Sequence, residues 1–342
     1  MKTIRPRITS QEFDILKEIR TQHKALAREC QEQGLPVHDV KHYWFKGKNF
    51  SIFSKPSQKS YDDVRDSIVS EMKKHAPIYP KLEYAKHKEG HLLIIDPADI
   101  HFGKLAVAYE SGDNYNIKTA RKRVLQGVSG LISKAQGFEI DQILFVIGND
   151  ILHIDNPHRK TTAGTPQDTD GMWFDAFLKA KETIVSVIEM LIPIAPVRVQ
   201  YDPSNHDYMS GFYFADTINS WFHKCESVTF NTSISHRKYY KYGSSLIGTT
   251  HGDGAKVGEL PLLMAQESAN DWSETKHRYF YIHHLHHKIK NDHIGVTVES
   301  LRSPSGTDSW HHRNGYQHAP KAIEAFIHSK DHGQIARLTH IF

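Results

Sequence analysis

Five short groups of Asp, Asn and His recur along the chain, each just past an apolar, strand-like run. They are Asp99-Ile100-His101, Gly148-Asn149-Asp150, Asn205-His206-Asp207, His251-Gly252-Asp253 and His284-Leu285-His286. One such group after a strand is an ordinary turn or helix cap; the recurrence points to chemistry. In open α/β sheets, ligand sites form outside the carboxyl ends of strands. Imidazole and carboxylate ligands together suit manganese, iron or zinc better than magnesium or calcium. Two divalent ions about 3.5–4 Å apart clamp both the attacking and the leaving oxygen of a phosphoryl displacement and generate hydroxide near neutral pH. One carboxylate has to bridge such a pair, because only its two oxygens and negative charge can hold two cations so close.

In this order the groups resemble the pattern of the calcineurin-like metallophosphoesterases, and the resemblance spans roughly Leu92 to Leu301. It implies a four-layer α/β sandwich of two mixed β-sheets flanked by helices. It also implies two metal ions, manganese first and iron or zinc as alternatives. Asp99, His101 and His286 would hold one ion, Asn205, His251 and His284 the other, and Asp150 would bridge. A metal-bridging hydroxide would attack phosphorus, and His206 would protonate the leaving oxygen as general acid. Asp96, Asp207 and Asp253 are candidates for orienting the imidazoles from behind. Two positions depart from the pattern: Ser204 and His283 stand where the family has glycine. Glycine there permits a positive φ or close backbone approach. The alternative register, His283 with His287, breaks the His-x-His spacing.

His153 separates the possible substrates. Gly148-Asn149-Asp150-Ile151-Leu152-His153 resembles the corresponding segment of the SbcD-type DNA repair nucleases, where that histidine is tied to nuclease activity, plausibly at the scissile phosphate. A histidine that only caps the following turn is the other reading. The long polar stretch from Asn156 to Gly171 places His158, Arg159 and Lys160 where a phosphate backbone could lie, or is a solvated loop. A looser resemblance is to phage-encoded metallophosphoesterases with an N-terminal helix-turn-helix-like region, on Lys41-His42-Tyr43-Trp44, the Asn156–Asp170 loop, Trp310-His311 and Gly315-Tyr316. The expected activity is a two-metal phosphodiesterase acting on nucleic acid, DNA first, as a nuclease. A phosphomonoesterase or a small-molecule or cyclic-nucleotide phosphodiesterase is the alternative within the enzymes. A DNA-binding regulatory protein with a vestigial metal site is the alternative outside them.

The elements that must carry these residues are legible as alternating apolar and amphipathic segments. Helical patterns fall near Ile117–Ala135, Met172–Leu191 and Gly211–Phe222. Strands fall near Ile143–Ile147, Val197–Tyr201, Ser227–Phe230, Leu246–Thr249, Arg278–Ile282 and Ile294–Leu301. The tail from Pro320 reads as a helix stopped at Gly333 and followed by a strand. Upstream, Thr9 and Glu12 form a capping-box pattern that opens an amphipathic helix ending at Gly34. A basic-aromatic helix from about Val37 to Phe45 follows, with Lys41 and Trp44 as candidate DNA contacts, then a strand over Phe50–Phe53. The expected division is a helix-turn-helix-like, winged-helix-like module at 1–56, a linker with a helix over Tyr61–Lys74 at 57–90, and the metallophosphoesterase domain at 91–342.

Composition agrees with this reading. At 342 residues, 39% hydrophobic and 24% charged, the chain can bury a substantial core and is not a disordered sequence. A formal charge of +4 permits an anionic partner such as DNA without demanding one. The 25 histidines lie within patterned segments rather than in a tag. Two cysteines, Cys30 and Cys225, far apart in sequence, argue against a disulfide framework or a thiolate zinc site. The first residues carry no apolar leader and no run is long enough for a membrane span, so the cytoplasm, that of a bacterial host if phage-encoded, is the expected compartment. Association with further copies of the chain is left open.

Overall fold

The computed structural model describes residues 10–32, 43–46, 51–54, 77–85 and 87–342. The chain divides into two compact units, Met1–Lys74 and His75–Phe342. In the first, α1 (Ser10–Glu32) is followed by β1 (Tyr43–Lys46) and β2 (Ser51–Ser54), an antiparallel pair with Tyr43 opposite Ser54. The helix expected from Val37 to Phe45 is therefore not formed over its last three residues. Tyr43, Trp44 and Phe45 are aromatic, and aromatic side chains favour the pleated surface of a strand. Lys41 and the helix expected over Tyr61–Lys74 lie outside the described residues.

The second unit runs β3 (His91–Asp96), α2 (Ala108–Ser111), α3 (Ile117–Lys134), β4 (Ile140–Gly148), α4 (Trp173–Leu191), β5 (Val197–Asp202), α5 (Tyr208–Trp221) and β6 (Val228–Asn231). It continues through β7 (Lys238–Tyr242), β8 (Ser245–Thr250), a 3-10 turn, α6 (Leu260–Glu267), α7 (Ala269–Glu274) and β9 (His277–Ile282). It closes with β10 (Ile289–His293), β11 (Val296–Ser300), α8 (Ser309–Arg313), β12 (Ala322–Ser329) and β13 (Gly333–Ile341). Six strands form one sheet in the order β13-β12-β3-β4-β5-β6, and five form a second in the order β10-β11-β9-β8-β7. Both are mixed. In the first, β3, β4, β5 and β6 run parallel; in the second, β8, β9 and β11 do.

The period-2 alternation of the strands sorts their side chains into layers. Leu93 and Ile95 of β3, with Ile143, Phe145 and Ile147 of β4, pack under α3, α4 and α5 against Val124, Val128, Ile184, Ile188 and Phe214. Their neighbours Leu92, Ile94, Leu144 and Val146 face the second sheet, meeting Tyr242, Ile247 and Tyr281. The far face of that sheet packs Leu246, Phe280 and Val298 against Leu260 and Met264 of α6. The result is helices, sheet, sheet, helix: the four-layer α/β sandwich expected from the sequence. Among the described residues, no helix is long and apolar enough to cross a membrane.

Three strands of this unit differ from the sequence expectations. The segment at Ala322–Ser329 is a strand, not a helix, set between β13 and β3. Ala322 to His328 are all buried, so both faces are covered and the apolar run loses its period, the circumstance in which a central strand imitates a helix. Ile294–Leu301 contains β11, which a hairpin joins to a preceding strand, β10, that is mostly exposed and polar. The strand β7, Lys-Tyr-Tyr-Lys-Tyr, was also not expected; it is the edge beside β8.

On β12, His328 is buried and its Nε2 lies 2.9 Å from the Tyr281 hydroxyl between the sheets. Burial, with a smaller contribution from the charge of His277, pushes its pKa down to about 3. A histidine depressed in the folded state gives stability that is complete above its ordinary pKa near 6.5 and is lost as pH falls through the folded value. His328→Leu is therefore expected to flatten the acid-side fall in unfolding free energy between pH 6.5 and 3, by up to about 1.4 kcal/mol per pH unit. Urea titrations at a series of pH values measure that slope.

Candidate metal centre

Every candidate ligand lies just past the carboxyl end of a strand: Asp99 and His101 after β3, Asp150 after β4, Asn205 and His206 after β5, His251 after β8, His284 and His286 after β9. Because β3, β4 and β5 are parallel, and β8 and β9 likewise, these ends open on one edge of each sheet. Past the strands the ladder continues without regular geometry. Asp99 N–H donates to Asn149 O at 2.8 Å, His101 N–H to Asp150 O at 2.8 Å, and His153 N–H to Phe102 O at 3.0 Å. His283 N–H donates to His251 O at 2.9 Å, and the Ser303 hydroxyl, past β11, donates to Asp99 O at 2.7 Å, lacing the second sheet to the first.

The turns that aim the ligands are strained. Asp99, His101, Asn149, Asp150, His284 and His286 all have φ between 49° and 68°. Only two other described non-glycine residues, Arg159 and His318, have positive φ. Such conformations cost roughly 1–3 kcal/mol each and persist where surrounding contacts over-determine them. Asp, Asn and His tolerate the left-handed region better than most residues, so the ligand types suit the turns as well as the chemistry. Gly148 is required outright: its φ is 90° and an added Cβ would stand 2.1 Å from Asp202 O.

The sequence groups converge. Asp99, His101 and His286 bring ligand atoms within 4.8 Å of one another, as do Asp150, His251 and His284. The two groups touch: His101 Nε2 lies 3.8 Å from Asp150 Oδ2, which is 3.3 Å from His251 Nε2. The Asn205 side-chain oxygen is 2.8 Å from the same His251 nitrogen. A third group, His101, His153 and His206, adjoins the first.

The electrostatics fit divalent cations. Burial opposes ionisation of Asp99 and Asp150, yet His286 beside the one, and His251 and His206 beside the other, hold both carboxyls below the usual range. Burial drives His101 and His153 far below the ordinary imidazole value, helped by the charges of His206 and Lys104. Burial likewise takes His286 down to about 4 against the pull of Asp99, whereas His251 is pushed up to about 9 because Asp150 outweighs its burial. His101 Nε2 lies 3.3 Å from His286 Nε2, beside the two buried carboxylates. A cation between them satisfies nitrogens and carboxylates together, and the mixed N,O set is the one that suits manganese, iron or zinc.

Around the ligands sits a supporting layer. Ser204 Oγ accepts from Asp150 N–H at 2.7 Å and donates to Asp207 Oδ1 at 2.6 Å, and Asp207 Oδ2 accepts from Leu152 N–H at 2.8 Å. The serine in a glycine position therefore carries part of the turn that presents Asp150. Burial and the charge of Asp150 push the Asp207 carboxyl up to about 7. Asp207 bonds to no imidazole; Asp96 does, but to His283, at 2.9 Å. His283, whose Nδ1–H donates to Thr250 O at 2.9 Å, points away from the ligand cluster into the core, which leaves His284 and His286 to face it. Asp253 acts on His251 and His284 only through its charge.

His206 N–H donates to Asp150 Oδ1 at 3.0 Å, and its Nδ1 lies 2.9 Å from His153 O. His153 itself is buried, its Nδ1 3.3 Å from His101 Nδ1 and its ring stacked on His206 at 5.3 Å. His158, Arg159 and Lys160 are exposed. Their loop is tied down: Asp155 N–H donates to Lys160 O, Gln167 N–H to Arg159 O, and Thr162 N–H to Asn205 O. The Asp155 carboxylate also accepts from Met209 and Ser210 N–H in the first turn of α5. Trp44 lies in β1, in the other unit, and Lys41 outside the described residues.

Two features escaped the sequence reading. Ser303 follows a strand end and obeys the same rule as the ligands, so it was within reach. The buried Lys104, which pairs with Asp308 at 2.8 Å, carried no local signal, since an isolated lysine reads as surface.

No protein-family model matches the chain, and no curated protein matches it. Among solved structures it is similar to a novel archaeal phosphodiesterase (11% identity, 73% of this chain and 99% of that one, TM-score 0.35). It is also similar to vacuolar protein sorting 29 from Cryptosporidium parvum (12%, 74% and 98%, 0.33) and to YfcE, a phosphoesterase from E. coli (11%, 72% and 98%, 0.33).

Ser204→Ala removes the hydroxyl shared by Asp150 N–H and Asp207 and leaves two buried polar groups short of a partner. The expected loss is about 1–3 kcal/mol of unfolding free energy, read by urea denaturation of the metal-free protein.

Proposed function

We propose that this chain is a two-metal-dependent phosphodiesterase acting on nucleic acid, with DNA the first substrate and nuclease the activity. The observation that carries the proposal is the meeting of Asp99, His101 and His286 with Asp150, His251 and His284, two donor groups side by side. Asp99, His101 and His286 would hold one ion, and Asn205, His251 and His284 the other, with Asp150 between. Divalent ions there would supply Lewis acidity and lower the pKa of water.

The remaining steps belong to the side chains. His206 is partly exposed, and its Nδ1–H donates to His153 O. That contact fixes the ring and leaves Nε2, 4.0 Å from Asp150 Oδ2, as the atom that delivers a proton to the leaving oxygen. His153, buried between His101 and His206, sets the positions of both. The exposed His158, Arg159 and Lys160, on a loop bonded to Asn205, would meet the phosphates of a strand crossing the site. The first unit, with Lys41 and Trp44, is a further candidate for DNA contact.

Asp150→Asn is expected to lower both manganese binding, read by calorimetry, and cleavage. His206→Ala is expected to keep manganese binding and to slow cleavage by roughly 10²–10⁴-fold. A panel of linear, circular and single-stranded DNA, RNA, cyclic nucleotides and phosphomonoesters, each with manganese, checks the substrate. Preferential hydrolysis of a monoester would overturn the nucleic-acid reading, and binding of less than about one ion per chain would overturn the enzyme.

A further inference from the structure

Past β11 the chain carries an aromatic pair that the proposed chemistry does not use. Trp310 and Tyr316 are each 61% exposed, and their rings lie 5.7 Å apart. Exposed aromatic rings offer flat apolar faces on which a ligand ring can stack. The pair is bolted to the metal centre rather than free on the surface. Lys104, on the loop that carries His101, is buried and its Nζ is 2.8 Å from Asp308 Oδ2. The other oxygen of Asp308 accepts from both N–H and Nδ1 of His311, at 2.8 and 2.7 Å. The His311 ring stacks on the candidate ligand His286, with centroids 4.9 Å apart and planes 21° off parallel, and Trp310 meets the edge of His311 at 5.1 Å.

An unbroken series of rings thus runs from the ligand cluster through His286, His311 and Trp310 to Tyr316. The same short helix, α8, ends in His311, His312 and Arg313, so the aromatic faces stand among groups that suit a phosphate backbone. Aromatic faces beside an arginine and hydrogen-bonding side chains suit single-stranded nucleic acid, because every base has a π-face and every link a charge.

We propose that Trp310 and Tyr316 form a base-stacking subsite: with the scissile phosphate at the metal centre, a neighbouring nucleobase of the same strand rests on them. The Lys104–Asp308–His311 bridge holds that platform at a fixed place on the rim. The inference rests on the phosphodiesterase reading above and narrows it to substrates that present an unpaired base next to the reacting link.

The test compares binding of two labelled strands of equal length to the full chain by fluorescence anisotropy in EDTA at low salt: a single-stranded oligodeoxynucleotide, and the same backbone made abasic. The wild type is expected to prefer the base-bearing strand. Trp310→Ala and Tyr316→Ala should each weaken that strand's binding roughly ten-fold, the size of one base–aromatic stack, with the abasic strand unaffected; Trp310→Phe should restore most of the loss. Circular dichroism melting checks that the variants fold. Wild-type preference in both alanine variants, or an equal loss on both strands, would overturn the subsite. Manganese-dependent cleavage of the same oligonucleotide by the wild type separates the two ideas. Cleavage with an unchanged preference in the variants sinks the subsite alone, while no cleavage and no preference in the wild type sinks the nucleic-acid reading with it.

Discussion

Asp99 and Asp150 are carboxylates removed from water and set within one cluster of side chains. Charge buried in this way is costly unless it is paired, and two like charges close together are costlier still. The imidazoles that face them are the compensation, and they arrive from several different strand ends. The loops after β3, β4, β5, β8 and β9 are accordingly cross-bonded through their backbones, and the ligand-bearing turns are held in a conformation that side chains ordinarily avoid. The strain is tolerable because it is shared out among Asp, Asn and His, the residues best able to accept it.

That geometry depends on the layers beneath. The first sheet could carry Asp99, Asp150 and Asn205 alone, but His251, His284 and His286 come from the second. The apolar seam of Leu92, Ile94, Leu144 and Val146 against Ile247 and Tyr281 sets how closely the strand ends of the two sheets approach. Polar contacts pin the seam at its margins, as where Gln200 Nε2 donates to Thr249 Oγ1 at 2.7 Å and where His283 reaches Asp96. Packing in the interior and coordination at the edge are in this way one problem.

Much of this could be read from the chain. The candidate ligands follow directly on buried strands, so a local rule picks them out, and His284 and His286 face the cluster despite the adjacent bulky histidine. The two departures from glycine became intelligible only in three dimensions. Ser204 serves as a hydrogen-bond relay, and His283 turns inward to a buried aspartate. Elements were misread where burial hid the period or polarity imitated a loop: β12, covered on both faces, passed for a helix, and β10, largely wet, passed for a connection. Asp96 and Asp207, expected to orient the imidazoles, are buried, but their partners are His283 and Ser204, long-range and short-range contacts that spacing alone does not specify. Lys104 shows the limit most plainly, because its partner stands some two hundred positions away.

The strand β12 has a consequence for how the molecule is made. It lies beside β3, the first strand of its unit, and pairs with it antiparallel along the whole length. During synthesis, β3 and the ligands that follow it leave the ribosome long before this neighbour exists. Until then one side of β3 is an unpaired edge, open to any stray strand. The grip on Asp99 can therefore mature only as a late event, after nearly all of the second unit has emerged, and until then that edge lacks the strand that covers it in the finished sheet.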